Sequence, residues 1–206
     1  MVAVTPLPAI RHWVFDMDGT LTVAVHDFEH IKRALAIPQE ADILGHLAAL
    51  PPEVAAAKHD WLLAHERALA EQAQAAPGAV ALLRALHAAG CRLGILTRNA
   101  RALAQVTLQA IGVGDVFSPD DIIGRDEAAP KPSPAGLHYF SERWRAAPAQ
   151  MVMVGDHRFD LESGRAAGTR TVLVNTPHNP WPGLACWHLP DCSALLAEWQ
   201  GNRITA

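Results

Sequence analysis

A doubly wound α/β fold, in which a parallel sheet is covered by helices and a small all-helical cap is inserted after strand one, is what this 206-residue sequence predicts. Three observations carry the prediction. From Pro77 onward, short apolar runs alternate with amphipathic segments of helix length. Two apolar runs, His12-Trp13-Val14-Phe15 and Met151-Val152-Met153-Val154, pass directly into acidic loops, and residues 27–76 lose strand character altogether. Strands separated by helices of this length require right-handed crossovers and a parallel sheet, and such sheets hold ligands beyond the C-terminal ends of their strands.

The first strand is expected over 12–15. Proline punctuation then divides the insertion into three helices: 27–36, ending before Pro38; 40–50, stopped by Pro51-Pro52; and 53 to about 75, stopped by Pro77-Gly78. On the third, Val54, Trp61, Leu62 and Leu69 form the expected apolar stripe. Beyond it the pattern predicts helix 79–89 ending at Gly90, strand 91–96, helix 100–111 ending at Gly112 and a short strand 121–123. Helix 134–144, strand 150–154, helix 159–167 and strand 171–174 complete the repeat. The α/β core is thus expected over 1–23 and 77–206, and the helical cap over 24–76. Gly112-Val113-Gly114 follows a helix rather than a strand, so it reads as a helix cap and not as a dinucleotide fingerprint.

Half of the residues are apolar and 18% are charged, which points to a packed globular chain. The net charge of -4 and the lack of any Lys/Arg run argue against nucleic-acid and membrane partners. No apolar stretch approaches the roughly 20 residues needed to span a bilayer. Residues 1–10 include Pro6 and Pro8 and lack an early positive charge, unlike a secretion signal. Cys91, Cys186 and Cys192 show no metal-ligand spacing and read as reduced thiols of a cytoplasmic protein, expected as a monomer or homodimer. Trp181, Trp187 and Trp199 are expected to cover a sheet edge or a subunit contact.

Four stretches carry chemistry: Asp16-Met17-Asp18-Gly19-Thr20, then Thr97, then Lys131, then Gly155-Asp156 with Asp160. Phosphoryl transfer needs an in-line nucleophile, neutralisation of charge on three oxygens, and a proton for the leaving group. Asp16 supplies a carboxylate nucleophile, and Asp18, two residues on, an acid and base. Gly19 permits a tight turn and Thr20 can tie the loop through its hydroxyl. Carboxylates crowded beside a phosphate call for a cation, with Asp156 as a further wall of the site, and magnesium fits a few carboxylates plus phosphate oxygens and water. Thr97 suits a phosphate oxygen near a helix N-terminus. Lys131, between Pro130 and Pro132, offers a fixed point charge, and Asp160 could orient it or a metal-bound water.

With these motifs in this order, the chain resembles the haloacid dehalogenase superfamily, specifically its phosphatase branch with a small helical cap, of the phosphoglycolate phosphatase kind. The resemblance spans about residues 13–174. It implies Asp16 as nucleophile, Asp18 as acid and base, Thr97 and Lys131 as phosphate-binding groups, and magnesium held by Asp16, the backbone carbonyl of Asp18, and Asp156. Dehalogenating members lack an acid at the position of Asp18, and phosphonate-cleaving members carry Ala there and use a cap lysine. The retained Asp18 therefore argues against a Schiff base on Lys32 or Lys58. His157 departs from the Ser common at its position in relatives.

The cap is expected to close over the site and read the leaving group. His26, Lys32, Arg33, His59 and His65 are its candidate contacts, with Arg98 and Asn99 beside Thr97. The expected function is a magnesium-dependent phosphatase acting on a small phosphorylated metabolite, with phosphoglycolate or a sugar phosphate as fold-level guesses. A phosphomutase of the same superfamily and a non-catalytic binding or regulatory protein are the alternatives.

Overall fold

The computed structural model describes residues 6–24 and 28–201, leaving aside the side chains of Phe28 and Leu44. His26 and the expected helix start at Asp27 lie outside the described residues. Six strands form one all-parallel sheet: β1 (His12–Phe15), β2 (Arg92–Leu96), β3 (Ile122–Ile123), β4 (Met151–Gly155), β5 (Arg170–Leu173) and β6 (Trp187–His188). Their order is β3-β2-β1-β4-β5-β6, so the chain reverses direction across the sheet between β1 and β4. Crevices of open α/β sheets open at such a switch point.

The strands read as unbroken apolar runs because both faces are covered. On one face Trp13 and Phe15 pack with helices α4 (Ala79–Ala88), α5 (Arg101–Ala110) and α8 (Cys192–Trp199). On the other, Val14, Met151 and Met153 pack with α6 (Ala135–Trp144) and α7 (Arg158–Ala167). Alternate residues of β1 thus serve opposite cores, as the two-residue period of a strand requires.

The insertion comprises α1 (Phe28–Ala34), α2 (Ile43–Ala48) and α3 (Pro52–Glu71), and it has its own small core of Ile31, Leu35, Ile37, Leu47 and Leu62. The third helix is shorter than the sequence suggests. The chain leaves it at Gln72 so that 74–76 can run antiparallel to 21–23: Val23 N–H donates to Gln74 O and Ala76 N–H to Leu21 O, each at 2.9 Å. The expected stripe on α3 is also corrected. Leu62 is buried, but Val54 and Trp61 are exposed; the inward face instead follows Leu62, Glu66 and Ala70, one helical turn apart.

Two elements near the C-terminus were not expected. Trp187–His188 adds the edge strand β6 beside β5, and Cys192–Trp199 forms α8, whose start is capped by the Asp191 carboxylate accepting from Ala194 N–H at 2.8 Å. Trp187 and Trp199 pack against the main core, consistent with covering the sheet edge, whereas Trp181 stands apart against the His157 ring. The three cysteines are free thiols, two of them buried. Among the described residues no helix is long and apolar enough to cross a membrane.

Because α8 closes one face of the core through the fully buried Leu195, Leu195→Ala is expected to cost about 2–5 kcal/mol, and loss of the cap in Asp191→Ala only about 1 kcal/mol. Urea midpoints with an unchanged denaturant slope check both.

Candidate active site

The acidic loops after β1 and β4 meet at the switch point. Asp16 leaves the end of β1 with its N–H donating to Val154 O at 2.9 Å, which fixes the first loop against the second strand. Its carboxylate is buried and held on both oxygens. Lys131 Nζ donates to Oδ1 at 2.5 Å, and the Thr20 hydroxyl lies 3.2 Å from Oδ2. Thr20 also reaches Asp156 Oδ1 at 2.8 Å, so one hydroxyl joins the two acidic loops as the sequence suggested it could tie the first.

Two glycines make this approach possible. Gly19 sits at φ +83°, and a Cβ there would collide with the Asp156 carboxylate. Gly155 lacks the side chain that would strike Asp160. The first turn of α7 can therefore lie against β4, where Asp160 Oδ2 accepts from His157 N–H at 3.0 Å and Oδ1 meets Lys131 Nζ at 2.6 Å. His157 caps α7 through Nδ1, which accepts from Phe159 N–H at 3.3 Å.

Lys131 is thus clamped between Asp16 and Asp160, with one of its three donors outside these two contacts. Thr97 lies at the end of β2; its Oγ1 accepts from Asn99 N–H at 3.0 Å, so its own O–H remains available to donate. Asn99 Nδ2 in turn donates to Asp18 Oδ2 at 2.8 Å and fixes the direction of that carboxylate. Asp16, Asp18, Thr97, Asn99, Lys131, Asp156 and Asp160 line one cavity of about 480 Å³ beneath the cap, whereas Gly19, Thr20 and Gly155 do not.

The pocket is short of positive charge. Burial raises the Asp16 carboxyl well above its usual range; Lys131 pulls it down, and Asp160, Asp156 and Asp18 push it up again. Asp156 is raised by burial and by Asp160. Burial works against the Lys131 ammonium, but the Asp16 and Asp160 carboxylates outweigh it and keep the lysine charged. A hard divalent cation matches this imbalance: one carboxylate oxygen each from Asp16, Asp156 and Asp160 lie within 4.8 Å of one another. Asp160, however, is already the counter-ion of Lys131, which leaves Asp16 and Asp156 as the side chains freer to serve a metal.

Of the cap candidates, Lys32 reaches the cavity, its Nζ also donating to Gln39 O. Arg33 pairs with Glu29 on the exposed surface, His59 is exposed, and His65 stacks on Trp61, none of them lining the cavity. Lys58 donates to Leu35 O within the cap. Arg98 and Asn99 do line it. Sequence reasoning missed two contacts that cross from cap to core, Asp42 with Arg98 at 2.9 Å and Glu66 with Arg125 at 3.2 Å. It also missed Asn175, whose Nδ2 donates to Gly19 O and Thr20 O at 2.8 and 2.9 Å and so braces the first loop from beyond β5. Asn175 adopts φ +57°, a conformation that Asn tolerates better than most residues, and that was its only local signal.

Residues 10–168 match the family of haloacid dehalogenase-like hydrolases. The chain belongs to this family, on its phosphatase branch. A haloacid dehalogenase-like hydrolase domain-containing protein of Arabidopsis thaliana is 31% identical over 178 residues, covering 81% of this chain and 71% of that one. A phosphoglycolate phosphatase of Xanthomonas campestris is 32% identical over 185 residues, covering 80% and 82%. The crystal structure described as a predicted phosphoglycolate phosphatase from Haemophilus somnus superposes with a TM-score of 0.73 at 20% identity, covering 91% of this chain and 97% of that one, and it shares the fold.

Carboxyls raised by folding bind protons more tightly in the folded chain than in the unfolded one. Their contribution is therefore present below the ordinary carboxylate pKa and lost as pH rises through the raised values. In chelator-treated buffer, Asp156→Asn is expected to raise the melting temperature at about pH 8, with the gain shrinking toward about pH 4. Thermal melts of the two proteins across that range check it.

Proposed function

We propose that the protein is a magnesium-dependent phosphatase that hydrolyses a small phosphorylated metabolite through an aspartyl-phosphate on Asp16. One observation carries the reading: a buried carboxylate at the switch point is held by a lysine, while a second carboxylate two residues on is aimed by Asn99 into the same cavity. An Asp oxygen attacks phosphorus as the bond to the leaving oxygen breaks, and Asp18 gives that oxygen its proton. Asp18 then takes a proton from a water that attacks the acyl phosphate, releasing inorganic phosphate and restoring Asp16. Lys131 and the Thr97 hydroxyl bind the equatorial oxygens, whose charge is spread in the transition state.

Asp16, Asp156 and the backbone carbonyl of Asp18 would hold the magnesium ion. When bound it supplies charge neutralisation and fixes the phosphoryl group against the nucleophile. Asp160 keeps Lys131 in place, and the cap keeps bulk water from the acyl phosphate. The phosphatase names carried by relatives agree with this chemistry.

Two expected outcomes test the reading. With magnesium the protein turns over an aryl phosphate; chelator abolishes this, Asp16→Asn removes it, and Asp18→Asn lowers it by about 10²–10⁴-fold. Hydrolysis by Asp16→Asn at the parent rate would rule out the covalent route. Magnesium at about 100 times its dissociation constant should also stabilise the fold by about 2.7 kcal/mol, seen as a raised melting temperature that Asp156→Asn abolishes.

A further inference from the structure

We infer that the Glu66–Arg125 pair selects phosphate esters whose leaving group is an uncharged polyol over esters whose leaving group carries a carboxylate. This rests on the phosphatase reading and names the substrate class of that site. Glu66 occupies the inward face of α3, four residues from buried Leu62 and four from buried Ala70, where an apolar residue would ordinarily stand. Its side chain is only 10% exposed, and its partner Arg125, from the core, 16%. Both carboxylate oxygens accept from the guanidinium at 3.2 Å.

The position of the pair ties it to the leaving group. Arg125 N–H donates to Asn99 O at 3.0 Å, and Asn99 Nδ2 donates to Asp18, the residue that protonates the leaving oxygen. Glu66 and Arg125 also line the cavity that holds Asp16 and Asp18. A group leaving from phosphorus toward Asp18 therefore departs into the cavity that this pair lines.

The charges then decide what can sit there. Arg125 is matched by Glu66, and Arg98, the other arginine on the cavity wall, is matched by Asp42 at 2.9 Å. Lys32, also on the wall, donates to Gln39 O instead; a carboxylate beside the Glu66–Arg125 pair would have to displace Glu66 from its guanidinium or lie against it as a like charge. Hydroxyls meet no such obstacle. Each Glu66 oxygen keeps acceptor capacity after binding Arg125, and the guanidinium keeps unused N–H donors, so the pair can both accept from and donate to a diol. Ile31, Leu62 and Phe159 add apolar wall for the C–H faces of a carbon chain or ring, and about 480 Å³ is ample for a leaving group larger than glycolate.

Two esters that differ at one carbon provide the test. Glycerol 3-phosphate carries a hydroxymethyl group where 3-phosphoglycerate carries a carboxylate. The parent protein with magnesium is expected to show a kcat/KM at least about tenfold higher for glycerol 3-phosphate, and Glu66→Gln to shrink that ratio by at least about tenfold, chiefly by lowering KM for the acid. A ratio measured within one sample is independent of the folded fraction, so weakened folding of the variant cannot imitate the result. Parent preference for 3-phosphoglycerate, or a ratio unchanged in Glu66→Gln, overturns the inference while turnover of p-nitrophenyl phosphate leaves the phosphatase reading standing. Failure of the parent to hydrolyse p-nitrophenyl phosphate and both esters instead sinks that reading, and this inference with it.

Discussion

The buried ammonium of Lys131, shared between Asp16 and Asp160, is the contact on which the rest of the site depends. It joins the end of β1, the loop before α6 and the first turn of α7 in one place. A charge taken from water at this depth is tolerated only when it is paired and hydrogen-bonded, and removing one partner of such a pair commonly costs about 3–5 kcal/mol. The lysine therefore fixes the direction of the Asp16 carboxylate and also locks three segments that would otherwise meet only through loops. The same contact leaves Asp156, among the described residues, without an ion pair of its own, an imbalance that a divalent cation would match.

That crowding of acids is a consequence of topology. In the order β3-β2-β1-β4-β5-β6, β1 and β4 are neighbours whose following segments depart to opposite sides, so their loops must face each other across a crevice. Two acidic loops placed there meet whether or not their charges agree. Gly19 and Gly155 remove the steric barrier, Thr20 bridges the gap, and Asn175 braces the first loop from beyond β5. Stability is given up locally for a site that can act on phosphate, a pattern common where function conflicts with packing.

Much of this was legible in the sequence because parallel strands buried on both faces leave long apolar runs, and because each reactive group follows one of them. The run 151–154 and the acidic loop behind it announce both β4 and Asp156. What escaped had weaker local signals. β6 is two residues long and exists through pairing with β5, and α8 is short, although Asp191 before Cys192-Ser193-Ala194 was a readable cap. Val54 and Trp61 suggested the wrong face of α3 because apolar identity does not say which side meets a partner. Glu66 escaped for the complementary reason: its role comes from Arg125, 59 residues away, and only the fold brings the two together.

The paired segments 21–23 and 74–76 carry one more implication. The chain enters and leaves the insertion through two stretches that lie side by side and are hydrogen-bonded to each other. Both covalent links to the enclosure therefore lie on one line, and any swing of the enclosure would have to turn about it. They also mean that the scaffold beneath could be reconnected by a tight turn, so the whole enclosure can be exchanged without disturbing the sheet below.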